Sequence, residues 1–203
     1  MSSSIVDFAS LQTAVGNWLH RTDLTALIPD FISLAESRMN GEIRSRSMET
    51  KTILTTTTGL SSMALPSDML EMRRAQILSS PNIVLDYRSP DQLSADYAYG
   101  FTRTPDVFTV VGGNIELQPV PDGVYSLELT YIQRIPSLSA TQTTNWLLTN
   151  WPNVYLFGAL LQAQPYMLND PRIATFEKMY QDGINAVNSI DWYSGSTMQV
   201  KAR

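Results

Sequence analysis

A chain of 203 residues, 43% hydrophobic and 16% charged, is long enough for one domain or two small ones and apolar enough for a core. Its 14 Lys and Arg against 19 Asp and Glu leave a net charge of −5 and form no basic run, which excludes a tight grip on nucleic-acid phosphates but lets DNA slide past unheld. The absence of cysteine and the single histidine, His20, exclude disulfides, a thiol nucleophile, sulfur-ligated zinc and a multi-histidine metal site within one chain.

The N-terminal MSSSIVDFASLQ has neither a basic start nor a long apolar core, so no signal peptide is expected. Ser4 to His20 reads as an amphipathic helix, with Phe8, Leu11, Val15, Trp18 and Leu19 on one stripe. After a break at Thr22-Asp23, a second helix is expected from Leu24 or Leu27 to Arg46, with Pro29 harmless in its first turn. Its expected apolar face is Phe31, Leu34, Ala35, Met39 and Ile43; its expected wet face is Glu36, Arg38, Glu42, Arg44 and Arg46. The two helices are read as an antiparallel pair.

Met48 to Gly59 is rich in β-branched residues and reads as a strand. Asp68 to Met72 is read as one short turn after Pro66. Arg74–Leu78 and Asn82–Arg88 make a hairpin, and Ser89-Pro90 starts a short helix that ends near Gly100. Val107 to Gln118 is a hairpin around Gly112-Gly113-Asn114, where glycine supplies positive φ. Val124 to Gln133 alternates as a half-buried strand does. These strands suggest one antiparallel meander of about 5–6 strands.

Helix returns from Trp146 to Leu168. The stretch from Val154 to Leu168 is the most apolar in the chain, but it is interrupted by Gln162, Gln164 and Pro165. A membrane span needs about 20 nearly continuous apolar residues, so a buried helix of about three turns, bracketed by Pro152 and Pro165, is expected instead. A last helix is expected from Pro171 to Asp191, with its stripe at Ile173, Phe176, Met179, Tyr180, Ile184 and Val187. The expected class is α+β. A helical bundle of about four helices comes from both termini (residues 1–47 and 144–191), a projecting antiparallel β-rich insertion spans 48–143, and an extended C-terminal arm spans 192–203.

No constellation of residues points to chemistry. His20 closes a helix, where a histidine usually meets the last carbonyls or the dipole. Glu36 with Glu42, or Asp68 with Glu71, could serve as a carboxylate pair, but at helix-surface or loop spacing solvated charge is the ordinary meaning; Asp91 and Asp96 are no better placed. No phosphate-cradling loop, nucleophile elbow or metal-ligand spacing is present, so no cofactor is expected. The tail from Trp192 to Arg203 reads either as a frayed terminus or as an arm that orders in a partner's groove.

The order of four motifs carries a resemblance: FASLQTAVGNWLHRTDLTALIPDFISLAESRMNGEIR, LPSDMLEMRR, GGNIELQPVPDGVYSLELTYIQRIP and TNWPNVYLFGALLQAQPYMLND. Over essentially the whole chain they resemble head-to-tail adaptor (connector) proteins of tailed bacteriophages, closest to those of short-tailed phages. The resemblance implies a non-enzymatic virion protein, made in the host cytoplasm, whose copies, commonly twelve, form a ring below the portal and extend the DNA channel. It implies a helical ring wall, a β-rich part facing the tail nozzle or fibres, and a C-terminal arm against the portal: Tyr193, Met198, Gln199, Val200, Lys201 and Arg203. Trp146, Trp151, Tyr97, Tyr99 and Phe101 are the candidate subunit or tail contacts. DNA would pass through the lumen without specific binding, and no membrane is involved. Two other classes stay open: a virion-associated peptidoglycan hydrolase, since some adaptors of this kind carry lytic activity, and a sugar-binding or fibre-anchoring module built on the β-rich part.

Overall fold

A computed structural model describes residues 5–96, 102–167 and 170–189. The chain divides into two compact units, Met1–Ser47 with Ile135–Arg203, and Met48–Arg134. In the first unit, α1 (Phe8–Leu19) starts at Asp7, whose carboxylate accepts the Ser10 N–H at 2.8 Å while Ser10 Oγ accepts the Asp7 N–H at 2.9 Å. This reciprocal cap satisfies donors that a helix start leaves without partners. The helix ends at His20, whose backbone enters the left-handed region at φ 52°, a conformation histidine visits more readily than most residues. His20→Gly is therefore expected to be neutral or to raise stability by up to about 1 kcal/mol, checked by thermal melting.

A 3-10 turn at Thr25–Leu27 leads into α2 (Ile28–Glu42). Its buried stripe is Ile28, Phe31, Ile32, Ala35, Glu36 and Met39. The expected face is thus rotated: Leu34 is exposed, and Glu36, expected to be wet, is only 3% exposed. At about 100° per residue, Ile32 and Glu36 continue the line from Ile28 and Leu34 falls outside it.

Pro152 forces Trp151 out of helical conformation (φ −136°, ψ 57°), so the helical region that begins at Trp146 splits into α4 (Trp146–Asn150) and α5 (Pro152–Gln162). Every residue of α5 from Val154 to Leu161 is buried, as expected of a helix apolar all round. It lies against α1, α2 and α6 (Ile173–Ser189). Gly158 and Gly183 allow the closest approaches: a Cβ at Gly158 would come 2.7 Å from Met39 Cε and 3.2 Å from Tyr180 Cε2, and one at Gly183 would come 2.8 Å from Val154 Cγ2. Trp18, Phe157 and Phe176 form an aromatic trio with centroids 5.7–6.0 Å apart. Met179, expected on the α6 stripe, is exposed, and Gly183 takes part in the buried face instead.

Among the described residues the second unit has eight strands: β1 (Glu49–Thr55), β2 (Ser62–Ala64), β3 (Met69–Ile77), β4 (Ile83–Val84), β5 (Asp86–Tyr87), β6 (Val107–Val111), β7 (Asn114–Gln118) and β8 (Ser126–Gln133), with α3 (Pro90–Asp96) between β5 and β6. They form two four-stranded sheets, β1-β8-β3-β4 and β2-β7-β6-β5. The single antiparallel meander is corrected in two ways. There are two sheets, and β5 pairs with β6 in parallel. One meander would leave an apolar face open, whereas two sheets cover each other's. Ala75, Ile77, Phe108, Ile115, Leu117, Leu127, Leu129 and Tyr131 meet in one core, and the chain crosses between sheets at buried Leu85. The Gly112-Gly113 turn forms as expected, at φ 57° and 83°.

The expected turn at Asp68–Met72 is instead the start of β3, following a turn in which Met69 N–H donates to Pro66 O at 3.1 Å. Register shifts at Met69/Glu71 and Met72/Arg74 break the period-2 alternation, so MLEMRR lacks a strand's signature. The stretch from Ile135, read as the end of the insertion, belongs to the helical unit. Its Ile135 N–H donates to Asn40 Oδ1 and its Leu138 N–H to Glu36 Oε1, each at 2.8 Å.

Candidate functional site

Asn145 builds the end of the helical unit where the two tryptophans stand. Its Oδ1 accepts the Leu148 N–H at 2.8 Å and caps α4. Its Nδ2 donates to Pro136 O at 2.7 Å and to the Tyr155 hydroxyl at 2.6 Å. The Tyr155 hydroxyl donates in turn to Glu36 Oε1 at 3.2 Å. Burial raises the Glu36 carboxyl above its ordinary value, against the lowering effect of the Leu138 N–H and the Tyr155 hydroxyl. Burial, with the Glu36 charge beside it, also raises Tyr155.

Asn188 joins the ends of α2 and α6: its Oδ1 accepts the Arg44 N–H and its Nδ2 donates to Glu42 O, each at 3.0 Å. With these ends fixed, Ser45, Ser47, Trp146, Asn150, Trp151 and Val187 line a groove of about 330 Å³. Trp146 and Trp151 are both half-buried, so the fold brings this predicted pair into one site. No lining residue is charged. The groove therefore offers ring faces, neutral donors and neutral acceptors, which suit a protein contact and not proton transfer. Ser45, Ser47, Asn150 and Val187 were not legible as site residues, because the three segments that hold them meet only in the fold. Tyr97, Tyr99, Phe101, Tyr193, Met198, Gln199, Val200, Lys201 and Arg203 lie outside the described residues.

Of the carboxylates considered for chemistry, Glu36, Glu42, Asp68 and Glu71 have structural partners. Glu36 is sealed as above. Glu42 accepts from Arg38 Nε at 2.8 Å and from the Tyr180 hydroxyl at 2.9 Å. Arg38 also pairs with Glu177 at 2.9 Å and lies 4.5 Å from the centroid of the Tyr180 ring. That ring of partners, Glu177 first, raises the Arg38 guanidinium, and Arg38 lowers the Glu177 carboxyl. Asp68 accepts from the Tyr131 hydroxyl at 3.2 Å and from Gln133 Nε2 at 2.7 Å, and Glu71 pairs with Arg73 at 3.4 Å. His20 is exposed and uses its backbone N–H to close α1. Among the described residues no group of acidic or histidine side chains could hold a metal ion, and no helix is long and apolar enough to cross a membrane.

A comparison with curated proteins finds no match. A scan of protein families matches residues 6–201 to the family described as SU10 adaptor protein. With nearly its whole length inside that match, the chain belongs to the SU10 adaptor protein family.

Proposed function

We propose that this chain is a structural, non-enzymatic head-to-tail adaptor of a bacteriophage virion. Its copies dock beneath the portal as a ring, continue the DNA channel and offer a platform to tail components. The observation that carries this reading is the family match across residues 6–201. Two further features agree with it. The net charge of −5 suits a lumen through which a polyanion must pass without sticking. The uncharged tryptophan groove suits a contact with another protein chain.

In this account the helical segments form a bundle that gives the ring its wall, and the arm from Tyr193 to Arg203 docks on the portal. Lys201 and Arg203 give the arm positive charge, and Tyr193, Met198 and Val200 give it apolar anchors. Ordering such an arm costs free energy until the partner's contacts offset it, which keeps the chain monomeric before docking. Deletion of Ser194–Arg203 is expected to abolish portal binding in a pull-down while the melting temperature stays unchanged. Undiminished binding by the shortened chain refutes the arm's role.

A further inference from the structure

The tryptophan groove lies at the end of the helical unit from which the C-terminal tail departs. Val187, in the last turn of α6, lines it, and the last residue of α6 is Ser189. The sequence continues Ile190-Asp191-Trp192-Tyr193-Ser194-Gly195-Ser196. A step of five residues from Val187 to Trp192 spans at most about 17 Å, so the chain leaving α6 holds two aromatic residues within reach of the groove.

The groove and this segment match in chemistry. Trp146 and Trp151 are half-buried, and the polar lining residues Ser47 and Asn150 are exposed and neutral. Rings gain from packing edge-on or offset against other rings, whereas a charged group would lose hydration there without an opposite charge to meet it. Trp192 and Tyr193 supply the rings, and Ser194-Gly195-Ser196 supplies small neutral residues beside them. The other stretches outside the described residues fit less well: 1–4 and 168–169 contain no aromatic residue, and 97–101 belong to the second unit. A short tether also favours the chain's own tail over a second copy's, because it holds the tail at an effective concentration of about millimolar.

We propose that the groove is the seat for the root of the arm: Trp192 and Tyr193 of the same chain pack against the rings of Trp146 and Trp151. The seat fixes the point from which Ser194–Arg203 extends. Fewer residues then remain to be ordered when the arm meets the portal, and such preorganisation strengthens binding. The contact within the chain stands by itself; its effect on portal binding rests on the arm reading above. The chain shortened by deletion of Ser194–Arg203 keeps Trp192 and Tyr193, so its seat stays filled.

The chain has no cysteine and Ser47 is exposed, so a cross-link tests the seat. The double variant Ser47→Cys/Ser194→Cys, oxidised or treated with a short bismaleimide at low protein concentration, is expected to link within one chain: monomer mass, no free thiol, and a linked peptide on digestion. Adding Trp192→Ala is expected to slow the linking about tenfold, the effect of losing one packed aromatic anchor, while the chain still melts cooperatively. Trp192→Ala in the otherwise native chain is expected to weaken portal binding in a pull-down although Ser194–Arg203 is intact.

Three results overturn the seat. Thiols that stay free under both reagents place the tail elsewhere. Equal linking rates with and without Trp192 show chance collision of a tethered end. Linked dimers in place of linked monomers show a second copy's tail in the groove. Portal binding that Trp192→Ala leaves unchanged removes the seat's part in docking. A native chain that fails to bind the portal while the link still forms removes the adaptor reading and leaves the seat standing.

Discussion

Gly158→Leu is expected to destabilise the helical unit by about 3 kcal/mol or more, a large part of the 5–15 kcal/mol that typically holds a domain together. The first added atom alone would sit 2.7 Å from Met39 Cε, 3.2 Å from Tyr180 Cε2 and 3.4 Å from Ala35 Cβ. Met39 can swing its terminal methyl aside. The Tyr180 ring cannot, because its hydroxyl is held by Glu42 at 2.9 Å and Arg38 lies over its face. Three further carbons have no space between α2, α5 and α6. Gly158→Ala is the control. Its clash falls mainly on the flexible methionine, and the gain of up to about 1 kcal/mol from replacing glycine inside a helix offsets it, so the net change is expected to be small. Urea unfolding of the two variants checks the contrast; equal midpoints for alanine and leucine would show that α5 does not pack as closely as described.

Glu36→Ala is expected to cost about 2–6 kcal/mol at neutral pH, since it removes the acceptor of two buried donors at about 1–3 kcal/mol each. Those donors are the Leu138 N–H at 2.8 Å and the Tyr155 hydroxyl at 3.2 Å. Glu36→Gln keeps an oxygen for both and carries no charge to bury, so it is expected to be at least as stable as the native chain at pH 8. The sign follows from linkage. Burial raises the folded carboxyl above its ordinary 4.5, so in the window above that value the folded chain holds a proton that the unfolded chain has released. Native stability therefore falls as pH rises through the window. The glutamine variant lacks this component, so its advantage grows from pH 4.5 upward and levels off above the folded value. Melting curves at half-unit pH steps measure the difference, and an advantage that shrinks with rising pH contradicts the account.

These two residues also mark the limit of what the sequence disclosed. Pro152 and Pro165 bracketed α5 because proline constrains the backbone locally, and Gly112-Gly113 announced the β6–β7 hairpin for the same kind of reason. The α1 stripe was legible at Leu11, Val15 and Leu19 because apolar spacing encodes one buried face, whereas Trp18, expected on the same stripe, is exposed. Glu36 was assigned to the wet face because residue type argues for exposure, while its position continues the line from Ile28 and Ile32; only the Leu138 segment and Tyr155, more than a hundred residues away, make its burial affordable. The split into two sheets was hidden for a similar reason. β8 is central because β1 and β3 both pair with it, and long-range pairing leaves no local mark. In the candidate site the tryptophans stood out by residue type and position, whereas Ser45, Ser47 and Val187 join them only through the Asn188 link between α2 and α6.

The central claim, a ring adaptor that assembles on its portal, is tested most directly by mass. Native mass spectrometry of the purified chain alone is expected to give a monomer at 22.7 kDa. With the portal protein added, it is expected to give one large complex that exceeds the portal ring by a whole-number multiple of that mass. A chain that stays monomeric in both samples, with the portal ring unchanged, contradicts the adaptor account.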